Sequence, residues 1–198
     1  MNDKIKQIGL VHSDLFLRNV GTEEQRSVLI SEIKEVQKMN PDGIDKSNEN
    51  CWRWNNPCKD VDWICREIID VVTVACNHYE NLDPVFKQLP DLKTVNLNYW
   101  ANVNGYMSRN FLHAHRSRQF SVVYYLQGTG TGEIVFTNPA NIMSDCNWGA
   151  PFVREFRYKP QDGDLLVWPA WMPHEVDFNL SNRERINLVF DVDVKEQK

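Results

Sequence analysis

Four side chains in the second half of this 198-residue sequence can do chemistry together: His113, His115, His174 and Arg185. His113-Ala-His115 sets two imidazoles at i and i+2, just before a strong strand pattern. In extended backbone such a pair projects to one face, so both rings can reach one metal ion. Neutral imidazole is the commonest metal ligand, although a lone His-x-His also occurs as a surface pair. The third histidine changes that balance. His174 follows Gly163-Asp-Leu-Leu-Val-Trp-Pro-Ala-Trp-Met-Pro173, a hydrophobic strand closed by a proline-punctuated turn that a jelly roll can bring beside His113. Arg185-Ile-Asn187 then opens the last strand. Arg185 and Asn187 share a face, so the guanidinium can fork onto a carboxylate while the Asn amide adds a hydrogen bond. Two or three metal ligands beside a carboxylate anchor are the parts needed by an iron site that also binds an oxo-acid.

The elements that must position these residues change period along the chain. Thr22-Glu-Glu-Gln25 has the form of a capping box, and Val28, Leu29, Ile33, Val36 and Met39 behind it make one helical stripe. Pro41-Asp-Gly ends that helix. Asp45 to Pro57 is polar and breaker-rich, and reads as an ordered loop carrying Trp52 and Trp54. A second helix is expected from about Lys59 to Tyr79, followed by a connector over Leu82 to Leu92. Strands are expected at Leu92–Val103, Gln119–Gln127, Glu133–Thr137, Asp164–Pro169, His174–Phe178 and Arg185–Val194. Helices followed by successive short strands predict a mainly β fold, a double-stranded β-helix (jelly roll) with helices packed outside. One domain is expected over 1–198, mostly helical over 1–92 and jelly roll over 93–198. Gly128-Thr-Gly-Thr-Gly132 leads into a strand and not a helix, so it reads as a flexible hairpin loop, not a phosphate cradle.

Composition sets bounds. The net charge of −5 gives no strong nucleic-acid or anionic-membrane signal. The start lacks a signal-peptide pattern and no apolar run suits a membrane span, so a cytoplasmic protein is expected. Five irregularly spaced cysteines, Cys51, Cys58, Cys65, Cys76 and Cys146, read as reduced thiols, not a zinc site.

Residues 94 to 192 resemble the iron(II)/2-oxoglutarate-dependent oxygenase superfamily, in particular a branch found in bacteria and phages. The resemblance rests on Trp100-Ala-Asn102, His113-Ala-His115, Ser121-Val-Val-Tyr124-Tyr125, Gly163-Asp-Leu, Pro169-Ala-Trp-Met-Pro173-His174 and Arg185-Ile-Asn187. It implies that His113 and His174 ligate Fe(II), and that Arg185, helped by Tyr125, binds the distal carboxylate of 2-oxoglutarate. It further implies an O2-dependent hydroxylase that converts 2-oxoglutarate to succinate and CO2. Two positions depart from the pattern. His115 stands where most of the superfamily has Asp or Glu, and is either a third ligand or a residue behind the ligands. Asn187 replaces a usual serine. Arg183 has the strand parity of Arg185 and is the reserve candidate for the carboxylate.

Two other readings compete. A three-histidine cupin-type metal enzyme would need no oxo-acid, and a binding module would use its jelly-roll pocket without chemistry. Arg185 discriminates, because neither rival gives it a task. The expected partner is a small molecule or peptide, with a homodimer as a possible assembly. Tryptophans such as Trp100 and Trp168 are more often core than substrate platform. Of Tyr124 and Tyr125 one should face the barrel and one the helices. Asp177 should face away from His174, and His12 and His78 belong to no constellation.

Overall fold

The computed structural model describes residues 14–44, 48–82, 95–115, 118–138 and 155–194. Its elements in chain order are β1 (Phe16–Asn19), α1 (Glu23–Met39), β2 (Asn48–Asn55), α2 (Asp62–Leu82), β3 (Val95–His113), β4 (Phe120–Gln127), β5 (Ile134–Thr137), β6 (Glu155–Tyr158), β7 (Asp164–Pro169), β8 (His174–Val176) and β9 (Arg185–Val194). The strands form one curled antiparallel sheet in the order β1-β7-β4-β9-β3-β8-β5-β6, with β2 added along β3. This is a jelly-roll core, as expected. Among the described residues no helix is long and apolar enough to cross a membrane.

Strand β3 makes the curl. Its first half pairs with β9 from Val95↔Val194 to Asn104↔Arg185. Its last residues pair with β8, where His113 sits opposite His174. Between the halves lie Gly105 and Met107, the latter at φ 61° with its N–H held by the Asn179 carbonyl at 2.8 Å. A left-handed residue re-aims a strand, so one chain segment can belong to two walls.

Two apolar layers result. Outside the sheet, α1 and α2 bury Leu29, Ile33, Ile64, Ile68 and Val72 against Val122, Tyr124, Val167, Leu188 and Phe190. Inside the curl, Val123, Tyr125, Ile134, Phe136, Leu166 and Trp168 form a second cluster. Alternate residues of β4 and β7 serve the two layers, which is why both strands read as unbroken apolar runs. The Thr22 capping box forms as expected, with Gln25 N–H donating to Thr22 Oγ1 and Thr22 N–H to Gln25 Oε1.

Several expectations need correction. The segment read as a loop contains β2, registered against β3 from Trp54↔Ala101 to Cys51↔Asn104. Its polar residues carry little strand preference, and pairing supplies what propensity lacks. Trp52 is buried and its Nε1–H donates to the Asn40 carbonyl at 2.7 Å. The first part therefore contributes β1 and β2 to the sheet as well as the two helices. β3 runs ten residues beyond Val103, and the charged strand β6 carried no apolar pattern to read. The Gly128–Gly132 loop joins β4 to β5, which are not neighbours, so it is no hairpin. It is pinned by Asp162, whose Oδ1 accepts from Gly128 N–H at 2.8 Å and Thr129 N–H at 2.9 Å. Most of the expected 82–92 connector, with His12, Cys146 and Trp148, lies outside the described residues.

Ile64 has no exposed surface and joins α2 to the sheet. Ile64→Ala should lower unfolding free energy by about 2–5 kcal/mol, read by urea denaturation.

Candidate metal centre and carboxylate anchor

The β3–β8 register that ends at His113↔His174 brings the two histidines side by side, with ring centroids 4.4 Å apart. His115 follows β3, its N–H donating to the Ala170 carbonyl at 2.9 Å, and its ring lies 5.2 Å from His113 and 5.3 Å from His174. One ligand nitrogen from each ring falls within 4.8 Å of the others. Each Nδ1 has an acceptor: Phe111 O at 2.6 Å for His113, Met172 O at 3.0 Å for His174, and Asp191 Oδ1 at 2.6 Å for His115. A carbonyl or a carboxylate only accepts, so each Nδ1 carries a proton and Nε2 is the nitrogen each ring has left for a metal. Burial first, then the neighbouring His113, pushes His174 down to about 3. Burial also lowers His113. Unprotonated rings are what metal binding requires.

Aromatic contacts fix the rings. Trp168 meets His174 edge-on at 4.9 Å, and Trp100 stacks on His115 at 5.8 Å and 13°. Arg53 lies over Trp100, 4.1 Å from its ring centre. These groups, with His113, Asn102, Tyr125 and Asn187, line a cavity of about 40 Å³.

Arg185 stands at the head of β9 on the face that carries Asn187, Val189 and Asp191. It has no exposed surface. Its Nη1 donates to Thr131 O at 2.6 Å and more weakly to Asp177 O at 3.3 Å. Nε and Nη2 make no hydrogen bond within the protein. Those two nitrogens form one edge of the guanidinium, the edge that matches a carboxylate in bidentate fashion. The Gly128–Gly132 loop wraps this residue. Gly132 sits at φ 98°, and a Cβ there would come within 3.0 Å of Arg185 Nη1.

Tyr125 is buried in the cavity wall, its phenol pushed up chiefly by burial. Tyr124 faces the other way, donating its hydroxyl to Val20 O at 3.0 Å against the helices. Asn187 Oδ1 accepts from Asn102 Nδ2 at 3.0 Å, which leaves the Asn187 amide N–H groups as donors. Arg183 precedes β9 and is bound to Asp162 Oδ2 at 2.6 Å and Thr129 O at 3.2 Å, so its guanidinium is already partnered where Arg185 keeps two open donors. Asp177 turns outward to Arg157, and His78 pairs with Asp14 at 3.1 Å.

Three residues escaped the sequence reading in these roles. Asp191 was legible in principle, since it shares the strand parity of Arg185. Trp100 was read as core. Arg53 had no signal, because its strand was taken for a loop.

In the metal-free protein, unfolded His174 binds a proton near pH 6.5 while the folded ring resists until about 3. The unfolded state therefore holds more protons in that window. Stability should be complete above pH 6.5 and fall toward pH 3 by up to ~1.4 kcal/mol per unit for this residue, and denaturation of His174→Gln at several pH values should show the shallower slope. Asp191→Asn should weaken Zn(II) binding by about 10- to 100-fold in calorimetry, through loss of the His115 partner.

Residues 98–191 match the family described as "Putative 2OG-Fe(II) oxygenase". Among curated proteins no sequence matches. The solved structures give a wider likeness. A Pseudomonas putida prolyl-4-hydroxylase aligns with TM-score 0.60 and 16% identity, over 91% of this chain and 92% of that one. HygX from Streptomyces hygroscopicus, solved with nickel and 2-oxoglutarate, aligns with TM-score 0.56 and 13% identity, over 91% and 83%. A Trichoplax adhaerens prolyl hydroxylase, in complex with a hypoxia inducible factor peptide fragment, aligns with TM-score 0.58 and 11% identity, over 91% and 83%. At these identities the likeness is one of fold. The family match runs from β3 to Asp191 and takes in all three histidines and Arg185, so this jelly-roll segment is similar to the 2OG-Fe(II) oxygenases, whose cofactors are Fe(II) and 2-oxoglutarate, with O2 as the usual co-substrate.

Proposed function

We propose that this chain is a hydroxylase in which His113, His115 and His174 hold Fe(II), and Arg185 anchors the far carboxylate of 2-oxoglutarate with Tyr125 and Asn187. The observation that carries the reading is the state of Arg185: a fully buried guanidinium whose Nε and Nη2 have no partner in the protein. A buried cation with unmatched donors is strongly destabilising, and an anion that takes both donors removes the penalty. A carboxylate is an anion whose geometry fits that edge.

The donor set fits the metal as well. Three imidazoles within reach of one ion suit Fe(II), and burial holds His113 and His174 in the unprotonated form that a metal requires. The negative charge that a ligating carboxylate would bring is held one bond further out, on Asp191 behind His115. Bound together in this pocket, iron and 2-oxoglutarate would supply O2 activation, so that a C–H bond, O2 and 2-oxoglutarate give an alcohol, succinate and CO2. The chain's own share is to orient the oxo-acid through Arg185, to lock the rings through their Nδ1 acceptors, and to keep water scarce with Val123, Ile134 and Trp168. The substrate is a small molecule or a peptide.

The all-histidine ligand set gives some support to a metal enzyme without an oxo-acid. Arg185 separates the two readings, because such an enzyme leaves its open edge without a function.

Anaerobic titration of Fe(II) and 2-oxoglutarate into the metal-free protein should give a saturable one-to-one charge-transfer band in the visible. Arg185→Ala should weaken 2-oxoglutarate at least 100-fold while Fe(II) still binds. Tight iron with no response to 2-oxoglutarate would move the assignment to the three-histidine metal enzyme.

A further inference from the structure

Arg53 is the second cation of the cavity, and neither metal nor oxo-acid accounts for it. Its backbone is held on both sides: it pairs with Asn102 in the β2–β3 register, and its carbonyl accepts from Ile44 N–H at 3.0 Å. Trp52, its neighbour in β2, is buried in the helix-facing layer, so strand alternation turns Arg53 to the other face, toward the histidines. There the guanidinium rests over Trp100. Its Nε is buried without a hydrogen-bond partner, and among the described residues it makes no ion pair. The acid that acts on it is Asp191, which is already taken by His115 at 2.6 Å and lies 3.9 Å from Arg118.

A cation–π contact holds a guanidinium in place but offers no acceptor to its N–H groups, which all point outward in the guanidinium plane. Its Nε is desolvated without an acceptor, which is unfavourable, and an anion at the guanidinium edge would supply one. A planar carboxylate matches the flat edge of a stacked guanidinium in bidentate fashion.

We propose that Arg53 is the substrate-binding cation of this site, and that the substrate is a small carboxylic acid held by its carboxylate on Arg53 with its carbon chain directed at the metal centre. This rests on the oxygenase reading for the metal and the oxo-acid, and it extends that reading to the substrate.

The test uses full-length protein loaded with Zn(II), which does not turn over, and saturated with 2-oxoglutarate. Straight-chain acids from propionate to octanoate are titrated by calorimetry, each beside its primary amide, with inorganic phosphate as a further probe. At least one acid should bind tenfold or more tightly than its amide. Arg53→Gln should bring the acid to the level of the amide, and Arg53→Lys should fall between. Equal binding of acids and amides overturns the proposal, and so does the absence of any acid binding. Phosphate binding as tight as that of the best acid overturns the choice of a carboxylate. A loss in Arg53→Gln matched by an equal loss of 2-oxoglutarate affinity assigns Arg53 to the oxo-acid instead, which also overturns it. If Arg53→Gln does not fold, the acid-to-amide ratio of the unaltered protein decides. The Fe(II)–2-oxoglutarate band is the separate readout of the oxygenase reading: a missing band with a preserved acid preference sinks that reading and leaves the assignment of Arg53 in place.

Discussion

Strand β3 is the one element shared by both walls of the barrel, and the site depends on the way its backbone is paired. A strand flanked only by β9 would leave its second half without partners and carry the histidines out into solvent. The corner at Gly105 to Met107 hands the strand from β9 to β8, while β2 runs along it on either side of the bend. The short β3–β8 ladder, irregular between Asn110 and His113, then sets His113 opposite His174. The same handover leaves room between the walls for side chains that a flat sheet could not enclose. The cavity is the space that the curl creates.

That space is unusual in what it buries. Most of a protein's buried polar atoms find partners within the fold. Here Arg185 Nε and Nη2, Arg53 Nε, Asn104 Oδ1, Ser121 Oγ and Trp168 Nε1 have none. By strand parity all of these side chains point into the curl. An interior of this kind is destabilising if it stays unmatched, and the helix-facing layer offsets it. That layer joins α1, α2 and the outer sheet face in a single apolar cluster. Stability is thus concentrated on one side of the sheet and reactivity on the other, with β4, β7 and β9 serving both through alternate residues.

How much of this could be read from the sequence follows from the same division. Strands with two apolar faces announce themselves, so the expected bounds of β7 and β9 agree with the structure and those of β4 differ by one residue. The capping box at Thr22 is equally local. Strand β2 and the second half of β3 are polar or broken by glycine, and they are strands because of what lies beside them. Arg53 was lost with β2. Arg183 and Arg185 share a parity, and nothing in their spacing separates them. Only the start of the β9 ladder at Arg185 does so, leaving Arg183 to the Asp162 loop. Asp191 was hidden for a different reason: it is a partner for a residue 76 positions away.

The Nδ1 anchors described above are not equivalent. His113 and His174 are each tied to the carbonyl two residues earlier in their own segment, so their aim is set locally. His115 is tied instead to Asp191 on β9, the strand that begins with Arg185. One rod therefore carries both the brace of a metal-facing ring and the arginine of the carboxylate site. Any small slide or twist of β9 is felt at the two places at once. If both proposed sites fill, any help that one gives the other through that rod must be mutual and equal in size.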